Sequence, residues 1–120
     1  MDPQTVSSWL DRYERAWRSR DQDEIGSLFT EDATYSADPF DDGLHGRQAI
    51  VDEWLSIDPN EEFDFRHEVL AVEGNLGVAR GWITYTAGEN LGEWSNIFLI
   101  RLDDRGRCNE YREWYMARKD

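Results

Sequence analysis

The chain is 120 residues long, enough to bury the core of one domain spanning 1–120 and not of two. Its 26 acidic residues against 13 basic ones give a formal net charge of −13, which repels polyphosphate and leaves no basic stripe for nucleic acid or an anionic membrane. No apolar run approaches the roughly 20 residues of a membrane span, and the one cysteine, Cys108, excludes an internal disulfide framework and a multi-thiolate metal site.

The opening MDPQTVSSWLDRYERAW lacks the basic start and short apolar stretch of a secretory signal, so the expected location is the cytoplasm. Asp2 followed by Pro3 suits a helix N-cap and first turn. Val6, Trp9, Leu10, Tyr13, Ala16 and Trp17 then recur on one helical face, predicting a first helix to about Arg20. Asp21 with Glu24 three residues on reads as a capping box for a short second helix, whose Ile25, Leu28 and Phe29 face inward. Ala33 to Ser36 reads as a short strand. The acidic turn SADPFDDG follows, and a third helix carrying Ala49, Ile50, Trp54 and Leu55 is expected to end near Ile57.

From Phe63 the hydrophobic period becomes two, through FDFRHEVLAVEG, GVARGWITYTAG, GEWSNIFLIRLDD and RCNEYREWYMAR. Strands joined by turns this short form an antiparallel meander, with the three helices over one face. The expected fold is therefore α+β, a cone-shaped curved antiparallel β-sheet wrapped around N-terminal helices. Alternation directs Phe63, Phe65 and His67 into the cone, together with Trp94, Asn96, Phe98, Ile100, Asn109, Tyr111, Glu113 and Tyr115, subject to any bulge. Ile97 and Leu99 on the opposite parity are apolar too, which points to a homodimer packed through the outer sheet face.

This order of elements resembles the nuclear transport factor 2-like superfamily and, more closely, its SnoaL-like branch. The residues that carry the resemblance are Tyr13 to Trp17, Asp21, Leu28-Phe29, Glu31-Asp32-Ala33, Gly46, Ala49-Ile50 and Arg112-Glu113-Trp114-Tyr115. The resemblance covers essentially the whole chain. It implies the cone fold, while the superfamily's activities range over isomerases, dehydratases, cyclases, epoxide hydrolases and non-catalytic binding modules. Compared with ketosteroid isomerase, Tyr13 matches the oxyanion-donor Tyr and Asp38-Pro39 resembles the general base, whereas Phe98 stands where a second donor is an Asp. Compared with scytalone dehydratase, His67, Asn96 and Tyr35 match pocket positions, whereas Trp17-Arg18 replaces a Tyr-Asp pair.

The residues themselves give candidate roles with open alternatives. His67 is either a proton carrier or a structural imidazole. Asn96 either orients a substrate oxygen or satisfies a buried backbone group. Asp38 is a base if its loop covers the mouth of the cone, and otherwise part of a solvated acidic turn. Glu113, between Tyr111 and Tyr115, is either held protonated or paired with Arg112 or Arg80. The expected catalytic set is thus His67, Asp38, Tyr13 and Asn96. The expected ligand wall is Trp17, Tyr35, Trp54, Phe65, Trp94, Phe98, Tyr111, Glu113 and Tyr115. The two histidines, His45 and His67, form no zinc motif, and there is no phosphate loop or nucleophile elbow. The expected partners are a small hydrophobic or aromatic ligand and a second copy of the chain, with no cofactor. The expected chemistry is isomerisation, dehydration or cyclisation by proton transfer, and the alternative is a non-catalytic binding or assembly module.

Overall fold

The computed structural model describes residues 1–119. Its elements are α1 (Pro3–Ser19), α2 (Gln22–Ser27), β1 (Phe29–Ser36), β2 (Leu44–His45), α3 (Arg47–Leu55), β3 (Glu62–Glu73), β4 (Leu76–Ala87), β5 (Gly92–Leu102) and β6 (Cys108–Ala117). The strands form one curved, unclosed sheet in the order β2-β1-β6-β5-β4-β3. The meander from β3 to β6 is antiparallel as expected, and β1 joins its far side parallel to β6.

Side chains at the termini set the helices. The Asp2 carboxylate accepts from the Thr5 amide at 2.9 Å, Pro3 occupies the first turn, and Arg20 closes α1 in the left-handed region at φ 56. Asp21 caps α2 through the Asp23 and Glu24 amides. The reciprocal half of the expected capping box is absent. Ser19 Oγ accepts from the Asp21 amide and donates to the Glu24 carboxylate at 2.9 Å, so a serine relay replaces the direct return bond. β1 starts at Phe29, four residues before the expected strand, because its first half pairs only at Phe29 with Cys108 before the register shifts.

The apolar face of α1 lies in the bend of the sheet, with Val6, Trp9 and Leu10 fully buried. Close approach is possible because β4 carries Gly77 there: a Cβ at that position would come within 2.6 Å of a Val6 methyl. Trp9 donates its indole N–H to the Leu28 carbonyl at 3.1 Å and packs against Tyr13, Phe29 and Tyr111.

Register shifts in β3 and between β5 and β6 bend the sheet. The second of these also resets parity. Leu102 pairs with Cys108 and Arg101 with Glu110, leaving Asn109 as the extra residue. Cys108, not the expected Asn109, is therefore the fully buried side chain at that end. Beyond the bulge, Tyr111 and Glu113 point inward as the alternation required. Among the described residues no helix is long and apolar enough to cross a membrane.

Candidate functional site

Between the C-terminal half of α1, the end of α3 and the wide end of the sheet lies a hollow of about 190 Å³. Its wall comes from Tyr13, Trp17, Tyr35, Trp54, Ile57, Glu61, Ile83, Tyr85, Asn90 and Glu113. A roomier groove of about 460 Å³ runs along Arg66, Trp82, Trp94 and Met116 elsewhere on the surface, without any of the buried hydroxyls or the buried carboxylate described next.

Glu113 is the chemical centre of the hollow. Tyr111 donates its hydroxyl to Glu113 Oε1 at 2.7 Å, and Asn96 donates from Nδ2 to Oε2 at 2.7 Å. Both donors are uncharged. Among the described residues Glu113 makes no ion pair, because the two arginines expected to meet it turn outward: Arg112 approaches Glu110 at 3.8 Å, and Arg80 lies over the Trp82 ring at 4.4 Å. Burial therefore pushes the Glu113 carboxyl above its ordinary value, and the two hydrogen bonds pull the other way without cancelling the shift.

The Tyr111 hydroxyl also lies 3.2 Å from the Tyr13 hydroxyl. A phenol has one proton. When the carboxylate holds the proton of Tyr111, the second contact is filled by the proton of Tyr13, giving the chain Tyr13, Tyr111, Glu113. Tyr13 and Tyr35 are held protonated well above the usual phenol range, first by burial and then by the charge of Glu113. Tyr85 is raised as well, by burial, then Glu61, then Glu113. The hollow thus contains one proton acceptor of elevated basicity facing hydroxyls that stay protonated, an arrangement suited to proton transfer next to an oxygen that gains charge.

The aromatic framework is continuous. Tyr13 meets Trp54 edge-on at 5.1 Å, Phe98 at 5.5 Å and Trp17 at 5.9 Å, and Tyr35 stacks on Tyr111 at 4.3 Å with planes 6° apart. The buried Trp54 Nε1–H has no hydrogen bond of ordinary geometry, though the indole lies near enough to the Tyr35 hydroxyl to favour its ionised form.

The expected site residues divide into four groups. Tyr13, Trp17, Tyr35, Trp54 and Glu113 line the hollow, with Asn96 and Tyr111 immediately behind Glu113. Phe65 and Phe98 pack against Tyr13 as the supporting layer. Trp94 and Tyr115 sit beyond the hollow at the end of β5 and β6, 5.8 Å apart, with Tyr115 55% exposed.

His67 and Asp38 are not brought to the hollow. His67 has the expected parity, but β3 is the edge strand and its imidazole is held at the seam with α1, Nε2 lying 3.3 Å from Ser7 Oγ and 3.6 Å from Asp11. Asp38 is exposed and accepts from the Phe40 amide at 2.8 Å, stabilising its own turn. Sequence reasoning placed Glu113 inward yet gave it no leading role, because alternation fixes the face of a residue and not the partners that other elements bring to it. Cys108 takes no part: burial pushes its thiol up to about 12.

The SnoaL-like domain family matches residues 10–111. No curated protein matches the chain. Among solved structures, the fold is similar to an LEH-like epoxide hydrolase of M. tuberculosis, with TM-score 0.76 and 13% identity over 95% of this chain and 84% of that one. It is similar to the epoxide hydrolase/cyclase-like enzyme SalBIII, described as acting in pyran ring formation in the polyether salinomycin, with TM-score 0.75 and 20% identity over 96% and 93% of the two chains. It is also similar to a steroid delta-isomerase of Pseudomonas aeruginosa, with TM-score 0.67 and 21% identity over 94% and 80%. Identities this low establish a shared fold.

Proposed function

The chain belongs to the SnoaL-like domain family, and we propose that it binds a small hydrophobic ligand in the hollow of the cone and moves a proton on it. The observation that carries this reading is the Glu113 carboxylate, open to the hollow, hydrogen-bonded by neutral donors and without a counter-charge. Glu113 is the acid–base group, Asn96 and Tyr111 are positioning residues, Tyr13 supports Tyr111 through its own hydroxyl, and the Tyr35 hydroxyl faces the oxygen of the ligand. The reaction class is isomerisation, dehydration, cyclisation or epoxide opening, chemistry that the chain's own groups can carry. The likeness to an epoxide hydrolase, an epoxide hydrolase/cyclase-like enzyme and a steroid isomerase supports this class. A cavity of about 150 Å³ takes up benzene, so a hollow of about 190 Å³ fits a single ring with short substituents.

A second reading, a non-catalytic binding module, draws on how full the cone is: Phe98 and Tyr111 are fully buried. A thermal-shift screen of single-ring compounds against wild type and Glu113→Gln separates the two. Turnover of a bound compound by wild type and not by Glu113→Gln supports catalysis. Binding without turnover by either supports the module.

The partner is proposed to be a second copy, in the cytoplasm. On the outer sheet face Trp114 pairs across β5 with Ile97, and Leu99 with Val78, while Trp114 is 46% and Met116 68% exposed. Arg112 Nε is buried on that face without an acceptor among the described residues, which a carboxylate of the second copy would supply.

A further inference from the structure

The hollow has two features that proton transfer leaves unused: its charge is of one sign, and its rings stand as walls. Among the described residues Glu113 and Glu61 line it, and no arginine, lysine or histidine does. Trp54, Tyr13, Trp17 and Tyr85 follow one another at 5.1, 5.9 and 6.3 Å, with successive planes turned by 86°, 68° and 67°. Rings turned this steeply make corners instead of a stack, and all four line the hollow. A ring attracts a cation through the negative potential of its π system, and aromatic boxes of this kind suit alkylated ammonium groups.

We propose that the hollow is the binding site of a small apolar ammonium ion, with the aromatic walls around its alkyl shell and the Glu113 carboxylate as its counter-charge. This rests on the cone being the ligand site and adds the charge of the ligand. A buried carboxylate is costly until a cation sits beside it, and Glu113 has only two neutral donors. Glu61 stands in the same wall, and its Oε2 accepts from Asn90 Nδ2 at 3.2 Å, so the negative potential extends along the hollow. An anionic ligand would meet two carboxylates and no cation. A bare metal ion is poorly served, since the described residues hold no group of three or more His, Cys, Asp or Glu able to ligate one. The volume of about 190 Å³ admits a trimethylammonium head with a short chain.

Choline and its uncharged analogue, in which carbon replaces the ammonium nitrogen, share one shape and differ in charge. Calorimetric titration of each into wild type, Glu113→Gln and Trp17→Leu tests the proposal. Choline is expected to bind wild type at least about tenfold more tightly than the analogue. Glu113→Gln is expected to reduce that preference at least about threefold while leaving the affinity for the analogue within about threefold, and Trp17→Leu to weaken choline more than the analogue. Equal or tighter binding of the analogue, or binding of neutral single-ring compounds without choline, overturns the ammonium proposal and leaves the ligand site standing. If neither choline, its analogue nor any neutral ring compound binds, both readings fall.

Discussion

Gly81 and Asn96 face each other across β4 and β5, and the missing side chain of one makes room for the carboxamide of the other. A Cβ at position 81 would overlap Asn96 Oδ1 and come within 3.0 Å of the Phe65 and Phe98 rings. The carboxamide lies there with its Nδ2 on Glu113. Gly81→Ala is therefore expected to displace Asn96 from Glu113, costing about 1–3 kcal/mol by overpacking. Urea unfolding measures the cost. Loss of activity on any substrate found, matching that of Asn96→Ala, links it to the site.

Glu113→Gln trades stability for function. The folded protein raises the Glu113 carboxyl above its ordinary value of 4.5 by burial, so the folded state holds that proton more tightly than the unfolded chain does. The contribution of Glu113 to stability is then fully present below 4.5 and is lost as pH rises through the elevated folded value. Relative to Glu113→Gln, the wild type should lose melting temperature across that interval, with the two curves parallel in more acidic solution. Melting curves of both proteins from acid to neutral pH check the sign.

Tyr111→Phe removes one of two donors to the carboxylate and leaves the ring stacked on Tyr35. The lost hydrogen bond is expected to cost about 1 kcal/mol of stability. It should also move the acid limb of the pH–activity profile further upward, because that bond favours the charged form of Glu113.

His67→Ala and Asp38→Asn are expected to leave ligand affinity and turnover unchanged. The first should cost about 1 kcal/mol of stability, since the imidazole fills the seam beside Ser7 and Asp11. The second should change little, since Asp38 lies on an exposed turn. A loss of more than about tenfold in kcat/KM in either variant would return that residue to the chemistry.

The outer face gives a separate expectation. Leu99→Arg places a charge between Val78 and Arg112 on the proposed dimer surface. Sedimentation equilibrium should show wild type as a dimer and Leu99→Arg as a folded monomer.

The parts of this fold legible in the sequence are those set by local chemistry. Asp2-Pro3 and the face from Val6 to Trp17 define α1, and the period of two from Phe63 onward defines the meander. The first half of β1 was not legible, because Thr30, Glu31 and Asp32 break the apolar pattern and the strand depends on its parallel neighbour β6. The bulge at Asn109 is a matter of pairing between distant strands, so alternation alone put Asn109 where Cys108 lies. Inward direction was legible for both His67 and Glu113. Their different surroundings follow from sheet order, which leaves β3 at the edge beside α1 and sets β6 between β1 and β5 at the hollow.

The central claim is that Glu113 is a carboxyl group of elevated basicity exposed to a ligand-sized hollow. An NMR titration of its side-chain carboxyl carbon, assigned by comparison with Glu113→Gln, reads this directly. A midpoint above 4.5 that responds to a ligand entering the cone is the expected result. A midpoint at or below that value, unchanged by every ligand that stabilises the protein, would contradict it.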